Sequence, residues 1–146
     1  NRKSNITNIN EIKERSTSYV SNNTNITEYG DIDLYGGISA GTGLDLYDEA
    51  IETIRYPKPI PKHDIALRVY GDSMEPMFRD EDIVFIKKTQ EIYHGQIGAF
   101  IVNGMGFLKK FYQEEDKVRL VSLNRDYKDI IIREYDDVRL VGIIVL

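Results

Sequence analysis

Short apolar runs separated by polar turn formers dominate the chain from Tyr29 onward. They are Ile32–Tyr35, Ile65–Tyr70, Ile83–Ile86, Ile97–Val102, Phe107–Tyr112, Val118–Leu123, Ile130–Ile132 and Leu140–Leu146. Their Ile, Val, Phe and Tyr side chains suit a pleated, half-buried surface. Clusters such as Arg79-Asp80-Glu81-Asp82, His94-Gly95, Asn103-Gly104 and Glu114-Glu115-Asp116 punctuate them, as turns do between strands. The pattern predicts a mainly β, compact antiparallel fold with few short helices. Asn103-Gly104 predicts a tight hairpin, since Asn and Gly tolerate the positive φ of a type I′ turn. Only Tyr47–Ile54 reads as a helix of any length.

The first 28 residues follow a different pattern. Asn, Ser and Thr supply 15 of them, and such side chains compete for their own backbone while offering little to bury. Residues 1–28 are therefore expected to be a linker or flexible arm, and residues 29–146 the folded domain. The arm carries a charge of +1 (four basic, three acidic residues), leaving 15 basic and 21 acidic residues, a charge of −6, in the domain. A domain that acidic is a poor phosphate binder, because Lys and Arg neutralising phosphates supply most nucleic-acid affinity. At 146 residues the chain buries a core without staples. It has no Cys, which excludes disulfides and thiolate chemistry and fits a reducing cytoplasm. No apolar run reaches the ~18–20 residues of a membrane span.

Three segments carry candidate chemistry. In Val69-Tyr70-Gly71-Asp72-Ser73-Met74-Glu75-Pro76-Met77, a strand gives way to a turn that opens on Ser73. Such a serine reads either as a cap or as a nucleophile beside outward-pointing backbone N–H groups. In Gly106-Phe107-Leu108-Lys109-Lys110-Phe111-Tyr112, alternation along a strand turns one lysine toward an apolar layer. There desolvation would lower its pKa and free a neutral amine for base chemistry; alternatively both stems snorkel to water. Periodicity alone leaves open which lysine faces inward. Tyr35-Gly36-Gly37-Ile38-Ser39-Ala40-Gly41-Thr42-Gly43 reads either as a flexible loop or as a slim peptide bond able to enter a narrow serine site. His63 and His94 have no partners at ligand spacing and read as solvated surface residues. Asp80-Glu81-Asp82 lacks the ligand ladder of a calcium loop and reads as a turn. No metal or other cofactor is expected.

In that order, these segments resemble the self-cleaving C-terminal domain of LexA, UmuD and the lambda-type prophage repressors, a family of Ser-Lys peptidases. The likeness runs from about Tyr35 to Leu146. It takes in Gly37-Ile38-Ser39-Ala40-Gly41, Gly71-Asp72-Ser73-Met74-Glu75-Pro76, Phe107-Leu108-Lys109-Lys110-Phe111 and Leu120-Val121-Ser122-Leu123-Asn124-Arg125-Asp126-Tyr127. It is greatest to repressors of Gram-positive prophages. Ala40-Gly41 lies 33 positions before the serine (73 − 40), and Lys109 lies 36 after it (109 − 73).

The resemblance implies a signal-peptidase-like β fold. It implies Ser73 as nucleophile, Lys109 as general base, Ala40-Gly41 as the bond cut, and backbone amides near Asp72 and Ser73 as oxyanion donors. It also implies a repressor that dimerises or forms a higher oligomer and is inactivated in the SOS response by a RecA filament. DNA would be met only through an N-terminal helix-turn-helix domain absent from this chain, which reads as a C-terminal piece of a longer repressor. The apolar Leu140–Leu146 segment is expected to be an edge that contributes to pairing. An alternative within the same likeness is an oligomerisation and antirepressor-binding module with little or no self-cleavage. A type I signal peptidase shares the Ser-Met segment but fits poorly with an internal Ala-Gly site and no membrane anchor. A UmuD-like polymerase accessory shares the catalytic residues but not the Gly-Ile-Ser-Ala-Gly segment.

Overall fold

A computed structural model describes residues 26–39, 45–46 and 49–146. Ten strands form one sheet: β1 (Tyr29–Ser39), β2 (Asp45–Leu46), β3 (Glu52–Pro57), β4 (Ile65–Tyr70), β5 (Ile83–Lys88), β6 (Ile97–Val102), β7 (Met105–Gln113), β8 (Val118–Val121), β9 (Ile130–Ile131) and β10 (Val138–Val145). The order across it is β2-β1-β4-β5-β10-β6-β7-β8-β9, with β3 also on β1. The mainly β expectation holds, and no helix occurs among the described residues. Nothing described there is a helix long and apolar enough to cross a membrane.

The structure corrects the sequence reading in four places. The described residues of Tyr47–Ile54, 49–54, are not helical, because Glu52–Pro57 extends as β3 along Tyr29–Leu34 of β1. The sheet is not wholly antiparallel, since β1 runs parallel to β4. Leu140–Leu146 is not an edge over its whole length: β10 pairs with β5 through Gly142–Val145 and with β6 through Val138–Ile143, so Gly142 and Ile143 have a strand on each side. His63 is only partly exposed, its Nδ1 2.7 Å from the Pro61 carbonyl and its ring 4.7 Å from that of Phe85. His94 is exposed, its Nδ1 accepting from the Gln113 amide at 3.0 Å.

Side chains alternate between faces along each strand, yet both faces of the central strands are covered. On β4, Ile65, Leu67 and Val69 enter one core with Val84, Ile86, Ala99 and Leu108. Ala66 joins Phe85, Ile32 and Leu34 in a second. On β6 and β7, Phe100, Val102 and Phe107 form a third with Leu120. Two-sided burial is why these strands read as continuous apolar runs rather than strict alternation. The β6–β7 hairpin turns at Asn103-Gly104 with φ of 51° and 84°, as a type I′ turn requires.

β1 leads the chain to the site. A bulge between Leu34 and Gly37 shifts its register against β4, and Gly36 there takes a φ of 132° that a side chain would oppose. Beyond the bulge Ile38 pairs with Val69 and Ser39 with Tyr70. The returning chain pairs Leu46 with Gly36 and Asp45 with Gly37. Ala40-Gly41 lies between those anchored ends, outside the described residues, as do residues 1–25 of the expected arm.

Candidate active site

The Ser73 turn is built from the end of β4. Gly71 takes a φ of 90°, and its amide donates to the Asp80 carboxylate at 2.8 Å. The chain then turns through Ser73–Met77, closed by Glu75 N–H to the Asp72 carbonyl at 3.2 Å and Phe78 N–H to the Met74 carbonyl at 3.0 Å. Met74 and Phe78 enter the core beside Val69 and hold the turn against the sheet. Ser73 is consequently buried, at 5% exposure.

The acidic cluster that follows is a brace for this turn. Asp80 holds the Gly71 amide, the Asp82 carboxylate accepts from Arg79 N–H at 2.8 Å, and Glu81 N–H reaches the Val69 carbonyl at 2.6 Å. No group of three or more His, Cys, Asp or Glu suited to a metal ion occurs among the described residues.

Lys109 lies on β7, opposite Gly98 of β6. Of the two adjacent lysines it is the buried one, at 3% exposure, whereas Lys110 is partly exposed. Its Nζ donates to Ser122 Oγ at 2.6 Å and stands 5.8 Å from the Phe107 ring centre and 5.6 Å from that of Tyr127. Ser122 is fully buried. It follows Val121, which pairs with Lys110, so Ser122 comes beside Lys109 as the next cross-strand neighbour. Burial lowers the Lys109 pKa from 10.5 to about 8, because an ammonium loses its hydration there.

The loop after β8 ties the lysine to the serine turn. Two residues beyond Ser122, Asn124 N–H donates to the Ser73 carbonyl at 2.9 Å, and Asn124 Nδ2 donates to the Asp72 carbonyl at 3.1 Å. Asn124 Oδ1 accepts from Asp126 N–H at 3.0 Å, turning the loop back. Tyr127 then places its ring near the Lys109 amine while its hydroxyl donates to the Asp72 carboxylate. That bond and burial raise the Tyr127 pKa, so the phenol stays protonated as a donor.

Ser73 and Lys109, 36 positions apart in sequence, are thus joined through Ser122–Asn124. Sequence reasoning gave no role to Ser122, Asn124 or Tyr127. The one local signal was a hydroxyl within the apolar stretch Leu120-Val121-Ser122-Leu123. A polar atom placed there needs a buried partner, and only strand pairing reveals that the partner is Lys109.

A family model described as Peptidase S24-like matches residues 33–145. A LexA repressor of Thermosipho africanus is 37% identical over 115 residues, covering 76% of this chain and 58% of that protein. A LexA repressor of Leptospira interrogans is 33% identical over 103 residues, 68% of this chain and 51% of its own. One from Clostridium botulinum is 33% identical over 127 residues, 82% and 62% respectively. The chain therefore spans between about half and three-fifths of the length of these relatives. The matched segment opens within β1 and closes at the end of β10, enclosing the Ser73 turn, Lys109 and the Ser122–Tyr127 loop. By that match the chain belongs to the peptidase S24-like family.

Proposed function

We propose that this is the self-cleaving, dimerising domain of a cytoplasmic prophage repressor, with Ser73 as nucleophile, Lys109 as general base and Ala40-Gly41 as the bond cut. The observation that carries the reading is the burial of Lys109 with no carboxylate partner among the described residues, on a strand tied to the Ser73 turn. A lysine in that setting yields a neutral amine near physiological pH, as a general base needs. LexA repressors among the relatives support the repressor role.

In the proposed reaction neutral Lys109 takes the Ser73 hydroxyl proton as Oγ attacks the Ala40 carbonyl carbon. The N–H groups of Asp72 and Ser73, which donate to no partner among the described residues, suit the developing oxyanion. Collapse breaks the Ala40–Gly41 C–N bond, and the Lys109 ammonium returns its proton to the departing Gly41 amine. Water, deprotonated by the same amine, then hydrolyses the Ser73 ester to free the Ala40 carboxylate. Ser39, the residue before Ala40, is paired with Tyr70, three residues before Ser73, which supports an intramolecular substrate. A tethered substrate reacts at effective molarities of ~10⁵ M or more.

A RecA filament is the proposed trigger, acting on the loop that carries Ala40-Gly41. Incubating the 146-residue chain at pH 9 should split it into residues 1–40 and 41–146 by intact mass, and Ser73→Ala should stop this. A chain that stays whole alone and with RecA filaments would instead leave the oligomerisation and antirepressor-binding module.

A further inference from the structure

We infer that Ser122 is the positioning residue of the general base, its hydroxyl oxygen setting the direction of the Lys109 lone pair; this rests on the Ser73–Lys109 reading above. A lysine amine ends a flexible four-carbon stem and rotates freely about its last bond. To take a proton from Ser73 it must keep its single lone pair aimed at that hydroxyl. When neutral it has two N–H bonds and that lone pair. Ser122 Oγ, 2.6 Å from Nζ, accepts one N–H and so fixes the rotation of the whole group.

The oxygen is itself immobile. Ser122 is 0% exposed and sits where β8 gives way to the loop whose next polar residue, Asn124, holds the backbone of Asp72 and Ser73. Two residues of one segment thereby hold both members of the pair. The rings of Phe107 and Tyr127 flank the amine, and neither offers it an acceptor oxygen at hydrogen-bond distance. The charged groups around it are otherwise engaged. Asp72 takes the Tyr127 hydroxyl, Arg119 of β8 is held by Glu114 and Asp129, and Lys110 of β7 lies over Tyr112. Asp126 and Glu75 act on Tyr127 from the loops. β6 presents Gly98 at this point.

The inference gives Ser122→Ala two effects in opposite senses. The plateau cleavage rate falls, by roughly tenfold to a hundredfold, as expected when a reacting group loses its orientation. The midpoint of the pH–rate curve moves to lower pH, because an oxygen accepting from the amine favours the ammonium and is now gone. A merely structural serine would lower the melting temperature and leave the midpoint in place.

The test compares pH–rate profiles of the 146-residue chain, Ser122→Ala, Ser122→Thr and Lys109→Ala by intact mass. Ser122→Thr keeps the oxygen and should hold the native midpoint; it also serves if the alanine variant fails to fold, a shifted midpoint in a folded threonine variant then counting against the role. Ser122→Ala with native rate and midpoint, beside an inactive Lys109→Ala, overturns the inference and leaves the pair intact. Cleavage persisting in Lys109→Ala overturns the reading beneath it.

Discussion

Arg119 and Lys109 stand at opposite ends of the β7–β8 ladder, and the fold handles their charges in opposite ways. Arg119 on β8 receives two carboxylates, Glu114 and Asp129, each at 2.5 Å. Hydrogen bonds from those partners raise its pKa above the ordinary value, so it is a permanent cation that pins a loop to a strand. Lys109 on β7 receives a neutral hydroxyl and two aromatic rings, and burial takes its pKa down to about 8. The difference lies in the partners: the sheet withholds a counter-charge from one cation while supplying two to another, as the proposed base role of Lys109 requires. An ion pair at Lys109 would favour the ammonium and work against the proposed base role.

The largest effect is expected from taking the buried amine away. Lys109→Met should reduce cleavage at Ala40-Gly41 by at least ~10³-fold, the scale on which loss of a nucleophile's base is felt, read as the rate of fragment appearance by mass. A variant that cleaves within tenfold of the native rate would break the comparison at once.

Giving Lys109 the kind of partner Arg119 has should cost somewhat less. A carboxylate within hydrogen-bond reach raises a lysine pKa by about 1–3 units. Ser122→Asp should therefore slow cleavage at pH 7 by roughly 10- to 1,000-fold and move the pH–rate midpoint upward, opposite in sense to Ser122→Ala. Recovery of much of the lost rate at high pH would separate this electrostatic effect from a misfolded site.

Stability should respond in the opposite direction from activity. Below pH 8 the folded protein buries a charged Lys109, a penalty the unfolded chain with its ordinary pKa of 10.5 does not bear. From pH 8 to 10.5 the unfolded chain binds a proton that the folded one lacks, so this group's contribution to stability rises with pH across that window. Lys109→Met should stabilise the domain by about 1–3 kcal/mol at pH 7, with the gain shrinking as pH climbs toward 10.5. Thermal unfolding across that range would show it. The smallest effect belongs to the compensated cation: Arg119→Met should leave the cleavage rate within twofold and lower the melting temperature slightly, as ion pairs still in contact with solvent contribute little.

How far this arrangement was legible in the sequence depends on the range of the interactions that fix it. The strands with β-branched runs, Ile65–Tyr70 and Ile97–Val102 among them, were readable locally, as was the Asn103-Gly104 turn, because both rest on neighbouring residues. The Ser73 turn was readable from Gly71 and the residues after it. Which lysine faces inward was not, because both faces of β7 are buried and Phe107 and Leu108 enter different cores; alternation then has no polar side to mark. Leu140–Leu146 looked like an edge because an apolar strand gives no hint of how many neighbours it has, and β10 has two. Glu52–Pro57 opens on Glu52 and closes on a proline, both weak strand formers, and it extends because β1 pairs with it. Ser122 escaped notice since its significance is a register, Lys110 against Val121, that no local pattern encodes.

The measurement that bears most directly on the central claim is the first-order rate of self-cleavage of the 146-residue chain between pH 6 and pH 10. An uncompensated amine titrating near 8 predicts a tenfold rise per pH unit from 6 to about 7.5 and a plateau above about 9, with fragments 1–40 and 41–146 throughout. A rate that does not change between pH 6 and 8 would contradict it, for then the group taking the serine proton is already neutral and is not this lysine.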